Sequence, residues 1–339
     1  MKVDGKLRAT DFGAVADAAV RHEAAGYAGV WSSESKHDPF LPLVLAAEHT
    51  ERIEVGTAIA VAFARSPMTV AYAAHDLQAY SGGRFMLGLG TQVKAHIERR
   101  FNMPWSEPAR RMREYISALR AIWASWDEGV PLDFQGDFYS HTLMTPFFSP
   151  PPLTTPPPSV HLAAVGERMT EVAGEVADGL LVHAFTTKRY LRERTLPALE
   201  LGLARSGRSR ADVALSIPGL VATGADEESM ARAVEATRKQ VSFYASTTAY
   251  RGVLEVHGWG ELGEELTTLS RSDDPLRWEK MASLVSDDVL HEFAIVAEPH
   301  LLADAIRDRF DGLIDRFSFY PSYEVDDAAW NDVVVKLAT

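Results

Sequence analysis

A polar loop after the second predicted strand holds the side chains best suited to acid–base chemistry. Seven consecutive polar residues, SSESKHD, occupy positions 32–38 and follow an apolar strand predicted at 27–31. Within this loop Glu34 and His37 are able to donate or accept a proton, or to form a hydrogen bond with a ring. Loops that follow strands often carry the functional residues of a protein. The alternative is a solvated loop in which Asp38 caps the next helix.

The fourth predicted strand ends in Gly88-Leu89-Gly90, followed by Thr91, Gln92 and Val93. This is not a dinucleotide-binding fingerprint, because Val93 stands where the third glycine is needed. The glycines instead permit close approach of a backbone. From 91 to 113 there are six Lys or Arg and two Glu in a chain of net charge -13. This reversal indicates an anionic ligand or a subunit contact, and a solvated helix face is the alternative.

At two further strand ends, backbone groups rather than side chains are the candidates for ligand binding. The third predicted strand, 53–61, is rich in small residues, which allow either a flat ring to lie on it or strands and helices to pack closely. The fifth is followed by Ala164, Val165 and Gly166 and then by a predicted helix. Free N–H groups at a helix start form an anion site, and phosphate sites recur in the later loops of TIM barrels. A plain connection is the alternative.

The elements that position these loops alternate between strand and helix. Strands are predicted at 1–3, 27–31, 53–61, 84–89, 160–165, 179–182, 213–223 and 316–320. Helices predicted between them give an α/β fold, a (β/α)8 TIM barrel in a single domain over 1–339. Active sites of such barrels lie at the carboxyl ends of the strands. Two regions interrupt the pattern and are interpreted as insertions. One, at about 130–158, follows strand 4 and contains a small hairpin around Gly136 and a seven-proline loop. The other, at about 250–289, lies near the C-terminal end.

Composition excludes several classes of function. The net charge of -13 disfavours nucleic acid and anionic membranes as partners. The absence of cysteine excludes disulfides, thiolate catalysis and cysteine-based metal centres. No histidine spacing typical of metal sites, no serine-nucleophile elbow and no P-loop are found, so no metal is predicted. The N-terminus has no apolar signal region, and the longest apolar run is far shorter than the ~20 residues of a membrane span. We therefore expect a cytoplasmic protein.

Several segments together resemble the bacterial-luciferase-like superfamily of flavin and deazaflavin oxidoreductases, over essentially the full chain. The matching segments read GYAGVWSSES, VGTAIAVAFARSPMTVA, AYSGGRFMLGLGT, RMREYISALRAIW and HLAAVGERMTEVAGEVADGLL. Within the superfamily, GTQVKAHIERRFNMPWSEP most resembles the branch that depends on coenzyme F420. The match is specific because the segments occur together and in this order.

The resemblance implies roles for particular residues. It places a non-prolyl cis peptide at Ala58–Ile59, against the cofactor ring. The other cofactor-binding positions that it implies are Ser35 beside the ring, Thr91, Gln92 and Val93 in a ring-contact loop, and Ala164, Val165 and Gly166 in a phosphate-binding turn. Glu34 is the acidic position beside the ring. Some members carry His where Ser35 stands and Glu where Val93 stands, so His37 is the candidate replacement for a histidine proton shuttle.

The function that the resemblance implies is an F420-dependent oxidoreductase, which transfers a hydride between the deazaflavin C5 and a small organic substrate. The family also implies a homodimer. An FMN-dependent monooxygenase using reduced flavin and O2 is the first alternative, and a non-catalytic flavin-binding barrel is the second. Four aromatic residues in the two insertions predict an apolar or ring-shaped substrate, with packing or a dimer interface as the alternatives: Phe147, Phe148, Trp259 and Trp278.

Overall fold

The computed structural model describes residues 1–7 and 11–338. Its strands are β1 (Lys2–Leu7), β2 (Gly29–Ser32), β3 (Glu54–Thr57), β4 (Ala60–Val61), β5 (Phe85–Gly90), β6 (Phe134–Gln135), β7 (Ser140–His141), β8 (Ser159–Ala164), β9 (Gly179–Val182), β10 (Ala214–Ala222), β11 (Ala294–Val296) and β12 (Arg316–Pro321). Most lie within one or two residues of the predicted bounds. The exceptions are β1, which extends four residues beyond its predicted end, and β11, which was not predicted.

The helices alternate with these strands. They are α1 (Val15–Ala24), α2 (Leu41–His49), α3 (Pro67–Tyr80), α4 (Lys94–Arg99), α5 (Pro108–Asp127), α6 (Glu167–Val176), α7 (Lys188–Tyr190), α8 (Leu196–Ser206), α9 (Glu227–Ala245), α10 (Arg251–Glu255), α11 (Gly260–Ser270), α12 (Arg277–Ser283), α13 (Asp287–Phe293), α14 (Leu302–Phe310) and α15 (Asn331–Ala338). Short 3-10 turns lie at Phe12–Ala14, Ala62–Ala64, Arg210–Asp212, Thr248–Tyr250 and Asp327–Trp330, and a π-helical turn lies at Leu191–Thr195. None of the described helices is long and apolar enough to span a bilayer.

The chain divides into two compact units. The N-terminal unit comprises Asp4–Leu181 and Ala198–Ala214, and the C-terminal unit comprises Met1–Val3, Val182–Pro197 and Leu215–Thr339. Each unit contains parallel strands with helices between them, which is the alternation that the (β/α)8 prediction requires.

In the N-terminal unit the strands follow the order β1-β2-β3-β5-β8-β9, and β4 also pairs with β5. Local sequence explains several boundaries. Helix α3 begins where predicted, because the hydroxyl of Ser66 accepts the Thr69 N–H at 3.2 Å and Pro67 fills the first position. The helix ends at Gly82 and Gly83, which adopt φ of +64° and +90°. Inside the sheet, the Trp31 indole donates to a carboxylate oxygen of Asp4 at 2.9 Å.

The third predicted strand is not continuous. It divides into β3 and β4 around Ala58 and Ile59, which are joined by a cis peptide bond. Gly56 pairs with Met86, and Ala60 pairs with Leu89, so four steps along this strand oppose three along β5. One extra residue therefore bulges out of the sheet at 57–59, which the sequence pattern did not predict.

The hairpin predicted around Gly136 is present, with β6 and β7 antiparallel and Phe134 opposite His141. Its turn is organised by a helix side chain rather than by its own residues. The Glu114 carboxylate of α5 accepts the backbone N–H groups of Asp137, Phe138 and Tyr139 at 2.6–2.9 Å.

In the C-terminal unit β10 pairs in parallel with both β11 and β12. The region predicted as an insertion at about 250–289 folds into α10, α11, α12 and the start of α13. These helices share a buried apolar cluster with α9, to which Val241, Leu266, Met281 and Phe293 contribute. The insertion is therefore a packed helical layer of this unit.

Candidate functional site

Four loops follow neighbouring strands of the N-terminal unit and hold every residue predicted to bind or act on a cofactor. The strands β2, β3, β5 and β8 are consecutive neighbours in a parallel arrangement, so their carboxyl ends meet at one edge. The first two loops are joined by backbone hydrogen bonds. Ala58 N donates to Ser32 O at 2.7 Å, and Glu34 N donates to Ile59 O at 3.3 Å.

The Glu34 side chain, only 6% exposed, lies under the loop that follows β4. Its Oε2 accepts the Val61 N–H at 2.8 Å and Nη1 of Arg65 at 2.6 Å. The other guanidinium nitrogen of Arg65 donates to Asp38 at 3.0 Å. Within residues 1–7 and 11–338, the second carboxylate oxygen of Glu34 has no hydrogen-bond donor. The structure thus brings Glu34 and Asp38 together through Arg65, which sequence reasoning missed.

The carboxylates beside Arg65 determine its protonation state. Burial lowers the pKa of Arg65, but the hydrogen bonds and charges of Glu34 and Asp38 outweigh it, so the pKa is raised above its ordinary value. Arg65 therefore remains charged. An ionised carboxylate accepts hydrogen bonds but donates none. Paired in this way, Glu34 is suited to receive a hydrogen bond from a ring N–H through its remaining oxygen.

Ser35 and His37 lie outside this network, and both are exposed. The Ser35 carbonyl accepts a hydrogen bond from Arg100 at 2.9 Å. The imidazole of His37 packs edge-on against Phe12, with ring centroids 5.7 Å apart. Among the described residues, none forms a hydrogen bond with the His37 ring. Its predicted role as a proton shuttle stays a prediction.

The cis peptide predicted at Ala58–Ile59 is confirmed. Both residues are half-buried, and both pack against the cluster formed by Trp31, Met86 and Leu181. The glycines of β5 accommodate this bulge. A Cβ at Gly90 would lie 2.9 Å from the Ile59 side chain, and one at Gly88 would lie 1.7 Å from the Thr57 carbonyl oxygen. The predicted close backbone approach therefore occurs, and the approaching groups belong to this chain.

The loop after β5 is held by its own side chains. Gln92 adopts a left-handed φ of +62°, which is uncommon for a residue other than glycine. Its carbonyl accepts the Thr91 hydroxyl at 2.8 Å, and its side-chain oxygen accepts the Val93 N–H at 3.0 Å. Val93 is 55% exposed. Such backbone conformations cluster at ligand-binding loops, so the geometry is compatible with the predicted ring-contact role.

The basic segment after this loop is partly neutralised within the chain. Three of its six cations form ion pairs, Lys94 with Glu98, Arg110 with Glu107 and Asp137, and Arg113 with Glu175. Arg99 and Arg100 are exposed, whereas Arg111 is buried. Arg111 lies over the Phe63 ring at 4.6 Å and donates to the Tyr139 hydroxyl and the Pro104 carbonyl. These pairings account for only part of the local charge reversal, so the predicted anionic ligand or subunit contact stays a prediction.

The loop after β8 leads into a helix whose first residues are exposed. Helix α6 begins at Glu167, and its N-cap residue Gly166 supplies no side-chain cap. Nothing lies within 4 Å of the place where a Cβ of Gly166 would stand. The first N–H groups of a helix have no acceptor within that helix, and the helix dipole favours negative charge there. Of the three predicted residues Gly166 is exposed at the electropositive start of α6, whereas Ala164 is buried.

The aromatic residues predicted to line a substrate pocket have different surroundings. Phe147 and Phe148 are strongly exposed and contact each other edge-to-face. Trp259 stacks on His257 at 4.5 Å and packs against the buried cluster of the C-terminal unit. For Trp259 packing is thus the better interpretation.

A family model described as luciferase-like monooxygenase matches residues 2–316. The chain belongs to this family. The predicted resemblance to the luciferase-like superfamily is thereby confirmed.

Relatives and solved structures agree with the assignment. The Mycobacterium tuberculosis protein named Uncharacterized protein Rv1360 is 55% identical over 93% of this chain and 92% of its own length. An F420-dependent glucose-6-phosphate dehydrogenase of Beutenbergia cavernae is 33% identical over 76% of this chain and 73% of its own. A solved structure of coenzyme F420 dependent tetrahydromethanopterin reductase from Methanopyrus kandleri superposes with a TM-score of 0.80 at 21% identity, covering 99% of this chain and 98% of that one. The predicted (β/α)8 luciferase-like fold is confirmed.

Proposed function

We propose that this chain is an F420-dependent oxidoreductase that transfers a hydride between the deazaflavin C5 and a small organic substrate. The observation that carries the proposal is the similarity to an F420-dependent dehydrogenase, 33% identical over 76% of this chain. The proposal includes the predicted cytoplasmic location and homodimer.

The residues of the N-terminal unit fit a phosphate-bearing, ring-containing cofactor. The start of α6 provides backbone N–H groups, and the space in front of Gly166 is open. The half-buried surface of Ala58 and Ile59 is apolar and suits the face of a ring. We assign the phosphate to 164–166 and the ring to Ala58, Ile59 and the loop 91–93. When bound, a deazaflavin accepts or supplies a hydride at C5.

In this scheme the side chains of Glu34 and His37 orient the ring and handle the proton. A substrate alcohol that gives up a hydride also releases its hydroxyl proton, which leaves one proton for a base or for solvent. The Glu34 carboxylate accepts hydrogen bonds from Val61 and Arg65 and is only 6% exposed, whereas His37 is exposed. We therefore assign Glu34 to hydrogen-bonding the ring, and His37, exposed and able to exchange protons with solvent, to the proton transfer.

Binding of F420 and of FMN, measured side by side by quenching of cofactor fluorescence, tests this proposal. We expect F420 to bind at micromolar concentration or tighter and FMN to bind much more weakly. The opposite preference would replace the proposal with an FMN-dependent monooxygenase, which needs a reductase to supply reduced flavin. Binding of neither cofactor would contradict both enzymatic functions and favour a non-catalytic barrel.

A further inference from the structure

Four polar aromatic side chains meet at the carboxyl ends of strands in the C-terminal unit. We name His183, Tyr244, Tyr250 and Tyr320 the His–Tyr cluster. His183 directly follows β9, and Tyr320 lies near the end of β12. Tyr244 and Tyr250 come from the end of α9 and the turn after it. All four side chains are partly exposed, so their polar atoms are not sealed in a core.

The hydrogen bonds of His183 fix its tautomer. Its Nδ1 lies 3.0 Å from the backbone nitrogen of Phe185, which donates to it. A ring nitrogen that accepts a hydrogen bond carries no proton, so in neutral imidazole the proton is on Nε2. Burial lowers the pKa of His183 to about 4, which keeps the ring neutral near pH 7. Nε2 lies 3.1 Å from the Tyr250 hydroxyl and therefore donates to it.

This direction determines what Tyr250 offers. Its oxygen accepts from His183, so its own proton is directed elsewhere. In the part of the chain that the structure describes, no acceptor lies within hydrogen-bond distance of that proton. The rings of His183 and Tyr250 are stacked at 4.4 Å, which holds the phenol in place. Tyr244 and Tyr320 share a second hydrogen bond of 2.8 Å between their hydroxyls.

The cluster carries no charge. Burial raises the pKa of Tyr250 and, more strongly, that of Tyr244, and the neighbouring Tyr320 adds to both. Among the described residues, no charged side chain contributes to the shifts of these two tyrosines or of His183. An ionic ligand placed here would lose hydration without gaining a countercharge from those residues, which is unfavourable. The buried rings of Phe185 and Phe293, stacked at 4.2 Å, pack beside the cluster and make its surroundings apolar.

We propose that the Tyr250 hydroxyl, oriented by His183, binds the oxygen of an uncharged, ring-bearing alcohol, phenol or ketone. The proposal is argued from the C-terminal unit alone and does not depend on the proposed function. Tyr250 is the group that touches the ligand, and His183 is a positioning residue. Neither residue stands out in the sequence, because they are 67 positions apart and meet only in the fold.

Binding of phenol and cyclohexanone to the full-length protein, followed by NMR with tyrosine labelled at the phenol carbon, tests the ligand class. We expect both probes to shift the Tyr250 signal and benzoate to leave it unchanged. Tyr250→Phe should weaken binding of both probes by about tenfold, the effect of losing one hydrogen bond. Tyr80→Phe, at an exposed tyrosine of the N-terminal unit, is the control and should bind like the parent protein. Equal binding by Tyr250→Phe and the parent, or a response to benzoate alone, would overturn the proposal.

The positioning role of His183 has its own measurement. Nitrogen NMR of the unmodified protein should show His183 with its proton on Nε2. A proton on Nδ1 would contradict the assigned direction of the hydrogen bond. Among variants, His183→Gln retains an N–H near the position of Nε2 and should keep most of the phenol affinity, whereas His183→Phe should lose it. Equal phenol affinity in the two variants would show that His183 does not position the Tyr250 hydroxyl.

The proposed function and the proposed ligand site at Tyr250 can be contradicted independently of each other. A parent protein that binds F420 but neither neutral probe would overturn the ligand assignment and leave the proposed function standing. A protein that binds phenol through Tyr250 but neither cofactor would overturn the proposed function and leave the hydroxyl site standing.

Discussion

The two units place polar groups at the ends of parallel strands in opposite ways. In the N-terminal unit the group is ionic, because Arg65 bridges Glu34 and Asp38. In the C-terminal unit the His–Tyr cluster is neutral and is joined by hydroxyl and imidazole hydrogen bonds. Most hydrogen-bonding positions of the ionic group are occupied within the chain, and the group holds the loop after β4 in place. The neutral group keeps the Tyr250 hydroxyl available as a donor. The comparison indicates that the ionic group joins two loops and offers a carboxylate acceptor, whereas the neutral group offers a hydroxyl donor.

The largest effect should come from breaking the ionic group. Arg65→Met leaves two carboxylates without their shared cation, one of them buried, and should lower the free energy of unfolding by about 3 kcal/mol. Urea denaturation measures this. Arg232→Met, which removes an exposed pair with Glu228, is the matched control and should change stability by less than about 1 kcal/mol. Similar values for both variants would show that the ionic group does not hold the loop.

The His–Tyr cluster should make the free energy of unfolding sensitive to acid. The pKa of His183 is lowered to about 4 in the folded protein, against 6.5 unfolded. Above pH 6.5 neither state binds the proton and stability is complete. As the pH falls from 6.5 towards 4, the unfolded chain gains the proton first, so up to about 3 kcal/mol is lost. Unfolding measured at pH 7 and pH 4.5 should show a smaller loss in His183→Gln, and an equal loss would contradict the assignment.

A third prediction concerns the open loop at α6. Gly166→Asp puts a carboxylate at the proposed phosphate position and should weaken F420 binding by about a hundredfold through like-charge repulsion. Gly166→Ala is the control, because its backbone is extended and its Cβ meets nothing within 4 Å. Fluorescence titration of both variants distinguishes charge from bulk. Unchanged affinity in Gly166→Asp would show that the phosphate lies elsewhere.

The smallest effect should come from the cap that follows Arg65. Ser66→Ala removes the acceptor of the Thr69 N–H and should lower the free energy of unfolding by about 1 kcal/mol. Because Ser66 is exposed and has no part in the ionic group, F420 affinity should not change. A loss of affinity comparable to that of Gly166→Asp would show that the helix start, rather than the ion pair, positions the loop.

Local signals in the sequence predicted the features that depend on neighbouring residues. The Ser66-Pro67 start of α3 and its glycine end follow from backbone preferences of those residues, and the cis bond at Ala58–Ile59 followed from the family resemblance. Contacts between distant residues were not predictable in this way. Arg65 and Glu34 are 31 positions apart, and no periodicity links them. The catalytic and cofactor roles of the predicted residues stay predictions.

The position of Trp31 gives the N-terminal unit an optical property. Its indole belongs to the buried cluster against which Ala58 and Ile59 pack, and it lies edge-on to His161 at 5.7 Å. Flavins and deazaflavins absorb light at wavelengths where tryptophan emits. A ring seated on Ala58 and Ile59 would therefore accept excitation energy from this indole. Of the seven tryptophans of the chain, Trp31 would then be a built-in energy donor to the proposed cofactor.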